Sequence, residues 1–163
     1  MCAHYELTDR DSAAALELGS LAGLVSTKEL VAWADSVIGA QKSPPDWAIC
    51  LSTVESQPLA NVVELLRQVP GDRDLEKSWR MFCGLLLRRI AAGVLDESRA
   101  NRIMTDHFYG GYVPESHRDV VGYLDYGFEL GRSGVCELDQ ARERLKDYLR
   151  ENRLPWNVTG TDS

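Results

Sequence analysis

Residues 75–91 read LEKSWRMFCGLLLRRIA. Leu75, Trp79, Phe82, Cys83, Leu86 and Ile90 recur at steps of three and four and share one helical face. Met81, Leu85 and Leu87 widen that face until, between residues 79 and 87, little is polar except Arg80. A helix apolar nearly all round belongs in the middle of a core. The rest of the chain has to supply what surrounds it.

On the N-terminal side, Thr8 is placed to cap a first helix of about 14 residues, with Asp11 in its first turn and Ala14, Leu18 and Leu21 facing inward. Ser26-Thr27-Lys28-Glu29 has the form of a capping box and opens a second helix carrying Leu30, Val31, Ala34, Val37 and Ile38. Pro44 and Pro45 break the chain, and a third helix starts at Asp46. A fourth carries Leu59, Val62, Val63, Leu66 and Val69 up to Pro70-Gly71. On the C-terminal side, Asp96 caps a sixth helix with Ala100, Ile103, Met104, His107 and Phe108. Tyr109-Gly110-Gly111-Tyr112-Val113-Pro114 reads as a loop. A seventh helix runs from about Glu115 to Arg132 with Val120, Val121, Leu124 and Phe128 inward, and an eighth gathers Leu138, Ala141, Leu145, Tyr148 and Leu149. Period-two alternation is missing. The expected fold is all-α, a compact array of about eight helices packed as antiparallel hairpins, forming one domain over residues 1–151 with a flexible tail at 152–163 in which Trp156 is a candidate to fold back onto the body.

Three junctions repeat a local pattern. Leu21-Ala22-Gly23-Leu24-Val25-Ser26, Ala91-Ala92-Gly93-Val94-Leu95-Asp96 and Arg132-Ser133-Gly134-Val135-Cys136-Glu137 each run helix, Gly, two apolar residues, polar cap. Positive φ at the Gly would end one helix, and the polar residue would cap the next.

The 163 residues are 44% hydrophobic and 26% charged, as in an ordinary globular protein. A net charge of −7 repels phosphate backbones and anionic lipid. Nucleic acid and membrane surfaces are therefore not expected partners, whereas a basic protein is. No apolar run behind a basic start occurs in Met1 to Arg10, which with isolated cysteines points to the cytoplasm. Cys2, Cys50, Cys83 and Cys136 form no C-x-x-C pair and have no His at ligand spacing, so neither metal nor cofactor is expected. Asn157-Val158-Thr159 spells a glycosylation acceptor, without consequence in the cytoplasm.

No nucleophile elbow, phosphate loop or dinucleotide fingerprint is present, and no catalytic residue is assigned. The richest polar cluster is Asp106-His107-Phe108 with Glu115-Ser116-His117-Arg118-Asp119. Imidazole and carboxylate titrate and ligate near neutral pH, so Asp106, His107, His117 and Asp119 define an alternative reading as a small helical enzyme or metal-binding protein, the Gly110-Gly111 loop serving as its lid. Against it, the spacing matches no ligand pattern and His107 falls on an apolar face. For partner binding the candidates are Trp33 and Trp47, from the interface-prone tryptophans, with Asp35, Asp72, Asp74 and Glu76 from the acidic groups. Further acids, Glu55, Glu64, Asp119, Asp125 and Glu129, would add to a negative patch if they converge. Self-association through exposed Trp is a further possibility.

Between Leu18 and Leu51, the residues Gly23-Leu24-Val25-Ser26, Glu29, Trp33-Ala34-Asp35, Pro44-Pro45 and Ile49-Cys50-Leu51-Ser52 resemble a group of small bacterial all-helical proteins. Some of these are thought to be immunity proteins of polymorphic contact-dependent toxin systems. The likeness covers about a third of the chain and rests on caps, turns and core positions. Thr53-Val54-Glu55-Ser56-Gln57 departs from it, standing where such proteins usually continue with an acidic, amide-rich segment. The resemblance implies a bacterial cytoplasmic protein that works by binding. The leading expectation is a non-enzymatic protein-binding module, an immunity-type inhibitor that covers a basic toxin or nuclease with an acidic helical face.

Overall fold

The structure is a computed structural model describing residues 6–156 and Val158. It is all-α: α1 (Asp9–Leu21), α2 (Thr27–Ala40), α3 (Asp46–Leu51), α4 (Leu59–Arg67), α5 (Leu75–Ala91), α6 (Glu97–Tyr109), α7 (Glu115–Arg132) and α8 (Leu138–Asn152). No strand occurs among the described residues. Within the span expected as one domain, contacts resolve two compact units, Met1–Asp74 with Asn157–Ser163, and Leu75–Trp156. Cys2 lies outside the described residues, as do Asn157 and Thr159 of the glycosylation triplet.

In the first unit α1 packs chiefly on α4, α2 on α3, and α3 on α4. Thr8 and Ser26 both close full capping boxes, with Asp11 and Glu29 as the reciprocal carboxylates. Helix α1 is not one-sided as expected. Every residue from Ala13 to Ser20 is buried, because Ala13, Ala14, Ala15 and Gly19 leave room for neighbours on all sides, while Leu21 is exposed. Glu17 is buried with them, its side chain 0% accessible. Its carboxylate accepts from Arg67 Nε at 2.9 Å and lies 3.6 Å from Arg73 Nη2. Arg10, also buried, donates to the Leu66 carbonyl at 3.0 Å. A buried carboxylate is tolerated only with such cationic partners.

In the second unit α5 packs on α8, and α6, α7 and α8 pack on one another around Trp79, Phe82, Met104, Phe128 and Leu145. As the 75–91 pattern requires, Ser78, Trp79 and Met81 to Leu86 are all buried. Val120, expected inward, is exposed instead. The first residues after α8 are packed. Asn152 ends α8, and residues 153–156 form a strap on α5, with the Leu154 amide donating to the Arg80 carbonyl at 2.9 Å. Leu154 and Trp156 are buried. Gly84 makes this possible: a Cβ there would overlap the Leu154 carbonyl oxygen.

The repeated junctions share one geometry. Gly23, Gly93 and Gly134 have φ of 69°, 71° and 77°, and the amide after each donates to the carbonyl five residues back, at 2.8, 3.0 and 3.0 Å. This is the Schellman helix end. Gly111, φ 78°, makes a fourth copy through Tyr112 N–H to His107 O at 3.0 Å, so the stretch expected as a loop or lid is a tight helix terminus. The second apolar residue tucks under the turn at Val25, Leu95 and Val113, but the first is exposed at Val94 and Val135. Of the three helix pairs expected from these turns, α7 and α8 pack together, whereas α1 has α4 and α5 has α8 as its main neighbour.

Candidate functional site

Charge is divided unevenly between the units. Met1–Asp74 holds eleven acidic and five basic residues, net −6, while Leu75–Trp156 holds thirteen of each and is neutral. On α8 the acids are further neutralised along the helix, Asp139 by Arg142, Glu143 by Lys146 and Asp147 by Arg150. A long-range attraction for cations thus resides in the first unit.

That unit also has a groove of about 420 Å³ between α3 and α4. Val54 and Leu65 contribute apolar lining, the carboxamides of Gln57, Asn61 and Gln68 contribute donors and acceptors, and Glu64 is the charged lining residue. Asn61 Nδ2 donates to Gln57 Oε1 at 3.1 Å, which holds part of this rim in place. The volume falls within the range of ligand-binding clefts, and amides beside an apolar floor suit an extended peptide carrying one cation. The groove was legible in principle: Gln57, Asn61, Glu64 and Gln68 are spaced by four, three and four, a polar helical stripe. Glu64 was expected only as one of the acids of a negative patch, and the uncharged amides beside it carry no charge signal.

The second unit contains the chemistry-bearing side chains, and they are turned inward. Trp79 Nε1–H donates to Tyr148 Oη at 2.8 Å, Tyr148 Oη lies 2.8 Å from His117 Nδ1, and His117 Nε2 lies 2.8 Å from Glu76 Oε1. Ser116 Oγ donates to the other Glu76 oxygen at 2.7 Å. Burial opposes ionisation of Glu76, but Ser116, His117 and Arg80 outweigh it and hold the carboxyl below its usual range. An ionised carboxylate can only accept, so His117 Nε2–H donates to Glu76. Burial pushes the Cys83 thiol and the Tyr148 phenol well above their ordinary ranges. Neither is activated as a nucleophile.

The expected site residues distribute as follows. His117 meets Glu76, a residue expected on a partner surface, and not Asp119 or Asp106, both of which are exposed. His107 is buried between Phe82, at 4.9 Å between ring centres, and Tyr112, at 5.6 Å. Among the described residues no three His, Cys, Asp or Glu side chains are grouped to hold a metal ion. Trp33, expected at a partner surface, is buried and stacks on the half-buried Trp47 at 5.5 Å, an aromatic pair whose contact area is spent within the unit. Asp35 and Asp72 are exposed and Asp74 is half-buried. No described helix is long and apolar enough to cross a membrane. No family model, curated protein or solved structure matches the chain, so these side chains and their surroundings alone carry its functional reading.

Proposed function

We propose that the chain is a non-enzymatic protein-binding module whose acidic N-terminal unit receives a basic surface of another protein, in the manner of an immunity-type inhibitor covering a basic toxin or nuclease. The observation that carries this reading is the concentration of net charge, −6 over Met1–Asp74, the stretch that also holds the α3–α4 groove. The field of that unit speeds encounter, and the groove, with Glu64 opposite a partner Lys or Arg, fixes register. Inhibition is steric and needs no metal or cofactor. Asp35, Glu55 and Asp72, all exposed, add to the attraction. The rival reading, a small enzyme or metal protein built on His107, His117 and Asp119, has less support, since His107 is enclosed by aromatic rings and both His117 nitrogens are engaged.

The test is retention of proteins from the source cell on immobilised chain, with Glu55→Lys/Glu64→Lys as the comparison. A basic protein should be held at low salt, released as salt rises and missed by the reversed-charge variant. An acidic partner, a complex indifferent to salt, or full retention by the variant would overturn the proposal.

A further inference from the structure

Helix α7 contains Gly122-Tyr123-Leu124-Asp125-Tyr126-Gly127, which reads the same from either end except at its two central residues. Leu124 points into the core and Asp125 accepts from buried Asn101 at 2.9 Å, so the middle of the segment is committed to its own unit. The symmetric residues are not. Tyr123 is 61% exposed, Tyr126 is 56% exposed, and the Cβ positions of Gly122 and Gly127 have no atom within 4 Å.

At about 100° per residue, the four lie around the helix in the order Gly122, Tyr126, Tyr123, Gly127. The tyrosines are about 60° apart, and each glycine is about 40° outside a tyrosine. A two-fold axis normal to the helix, passing midway between residues 124 and 125, reverses axial order and preserves the flank. It sets the partner's Tyr126 about one residue rise, roughly 1.5 Å along the axis, from Gly122, and the partner's Tyr123 the same distance from Gly127. Every ring therefore finds an open glycine, and every glycine receives a ring. Such self-complementarity is what an isologous contact requires, because one patch must serve as both surfaces. Charge does not oppose the contact: the segment belongs to the unit whose acidic and basic residues balance.

We infer that α7 is a self-association surface, and that the protein forms a weak antiparallel dimer through Tyr123 and Tyr126 seated on Gly122 and Gly127 of the second copy. The exposed parts of the two rings amount to roughly 230 Å² per copy. That is a small share of the ~800 Å² per partner in a standard complex, so the association is weak. The inference is independent of the proposed function, which uses the other unit.

Sedimentation equilibrium of the full chain, from about 10 µM to about 1 mM, is the test. The expected result is a reversible monomer–dimer equilibrium that weakens at least tenfold in Tyr123→Ser/Tyr126→Ser. Gly122→Ala/Gly127→Ala separates this geometry from general stickiness. Alanine favours the helix, so the melting temperature of the monomer should rise while dimerisation weakens. A monomer up to the highest concentration, a dimer insensitive to the tyrosine pair, or one that loses the tyrosines' contribution but ignores the added methyl groups would each overturn the inference. So would a different protein held by the tyrosines on a chain that itself stays monomeric.

Discussion

Replacing Tyr148 by Phe removes one oxygen and leaves the ring in place, so it isolates the polar chain of the second unit from its packing. Tyr148 Oη is the acceptor for the indole N–H of Trp79, which is 0% exposed, and the neighbour of His117 Nδ1. Without it both groups stay buried and lose their partners. Each orphaned group costs about 1–3 kcal/mol, and part of the total is returned because the hydroxyl itself no longer has to be desolvated. The expected loss of stability is about 2–4 kcal/mol, whereas a bond to a group that water can re-solvate would cost about 1 kcal/mol. Urea unfolding followed by circular dichroism and tryptophan emission measures the difference. A second arm, Trp79→Phe alone and together with Tyr148→Phe, tests coupling, since with the donor gone the oxygen is worth less. An interaction energy of about 1 kcal/mol or more is expected for groups in direct contact. If Tyr148→Phe costs under about 0.5 kcal/mol, or if the two substitutions add, the Trp79–Tyr148–His117 chain does not hold the unit together in the way described.

Three further outcomes follow from the same structure. The Glu76 carboxyl is held below its ordinary 4.5, so the unfolded chain takes up that proton first; the stabilisation is complete above the ordinary value and is lost as pH falls through the lower folded one. Glu76→Gln should flatten this part of the acid dependence of the urea midpoint, and an unchanged acid limb refutes the assignment. In a Cys2→Ser background, Cys50, which is exposed, should react promptly with a disulfide reagent, while Cys83, buried and with its thiol pushed up by burial, should react only on unfolding; equal rates would contradict the burial of Cys83. Gly84→Ala should lift the strap that crosses α5, costing about 1–3 kcal/mol and red-shifting Trp156 emission, and a wild-type spectrum with unchanged stability would show that the strap is not seated on Gly84.

What was legible in the sequence is what local chemistry dictates. The cap at Thr8, the box at Ser26, the Asp96 cap and the helix ends at Gly23, Gly93 and Gly134 each depend on residues within about six positions, and they stand where the sequence places them. The all-round burial of α5 was legible because long apolar side chains on every face have no other place to go. The all-round burial of α1, a helix expected to be one-sided, was not legible for the opposite reason. Its alanines and Gly19 carry little hydrophobic signal, and they are buried because smallness admits close neighbours. The burial of Glu17 leaves no local signal because its cations, Arg67 and Arg73, lie 50 and 56 positions away. A separation of 41 positions likewise hid the pairing of Glu76 with His117, each expected in a different role.

These hidden pairings bear on function. A side chain that can catalyse is most useful where a substrate can reach it with an open hydrogen-bonding position. His107, His117, Cys83 and Tyr148 instead sit buried, joined to rings, hydroxyls and a carboxylate that complete their contacts. The exposed features have another character: a field concentrated in one unit, a groove lined by amides and Glu64, and a two-fold stripe of tyrosine and glycine on the other unit. Each of these acts at a surface by shape and charge, which is the physics of binding another macromolecule. The proposed binding of a basic partner and the inferred binding of a second copy draw on different residues, Glu55 and Glu64 for the one and Tyr123, Tyr126, Gly122 and Gly127 for the other, so the two make no competing demand on the same side chains.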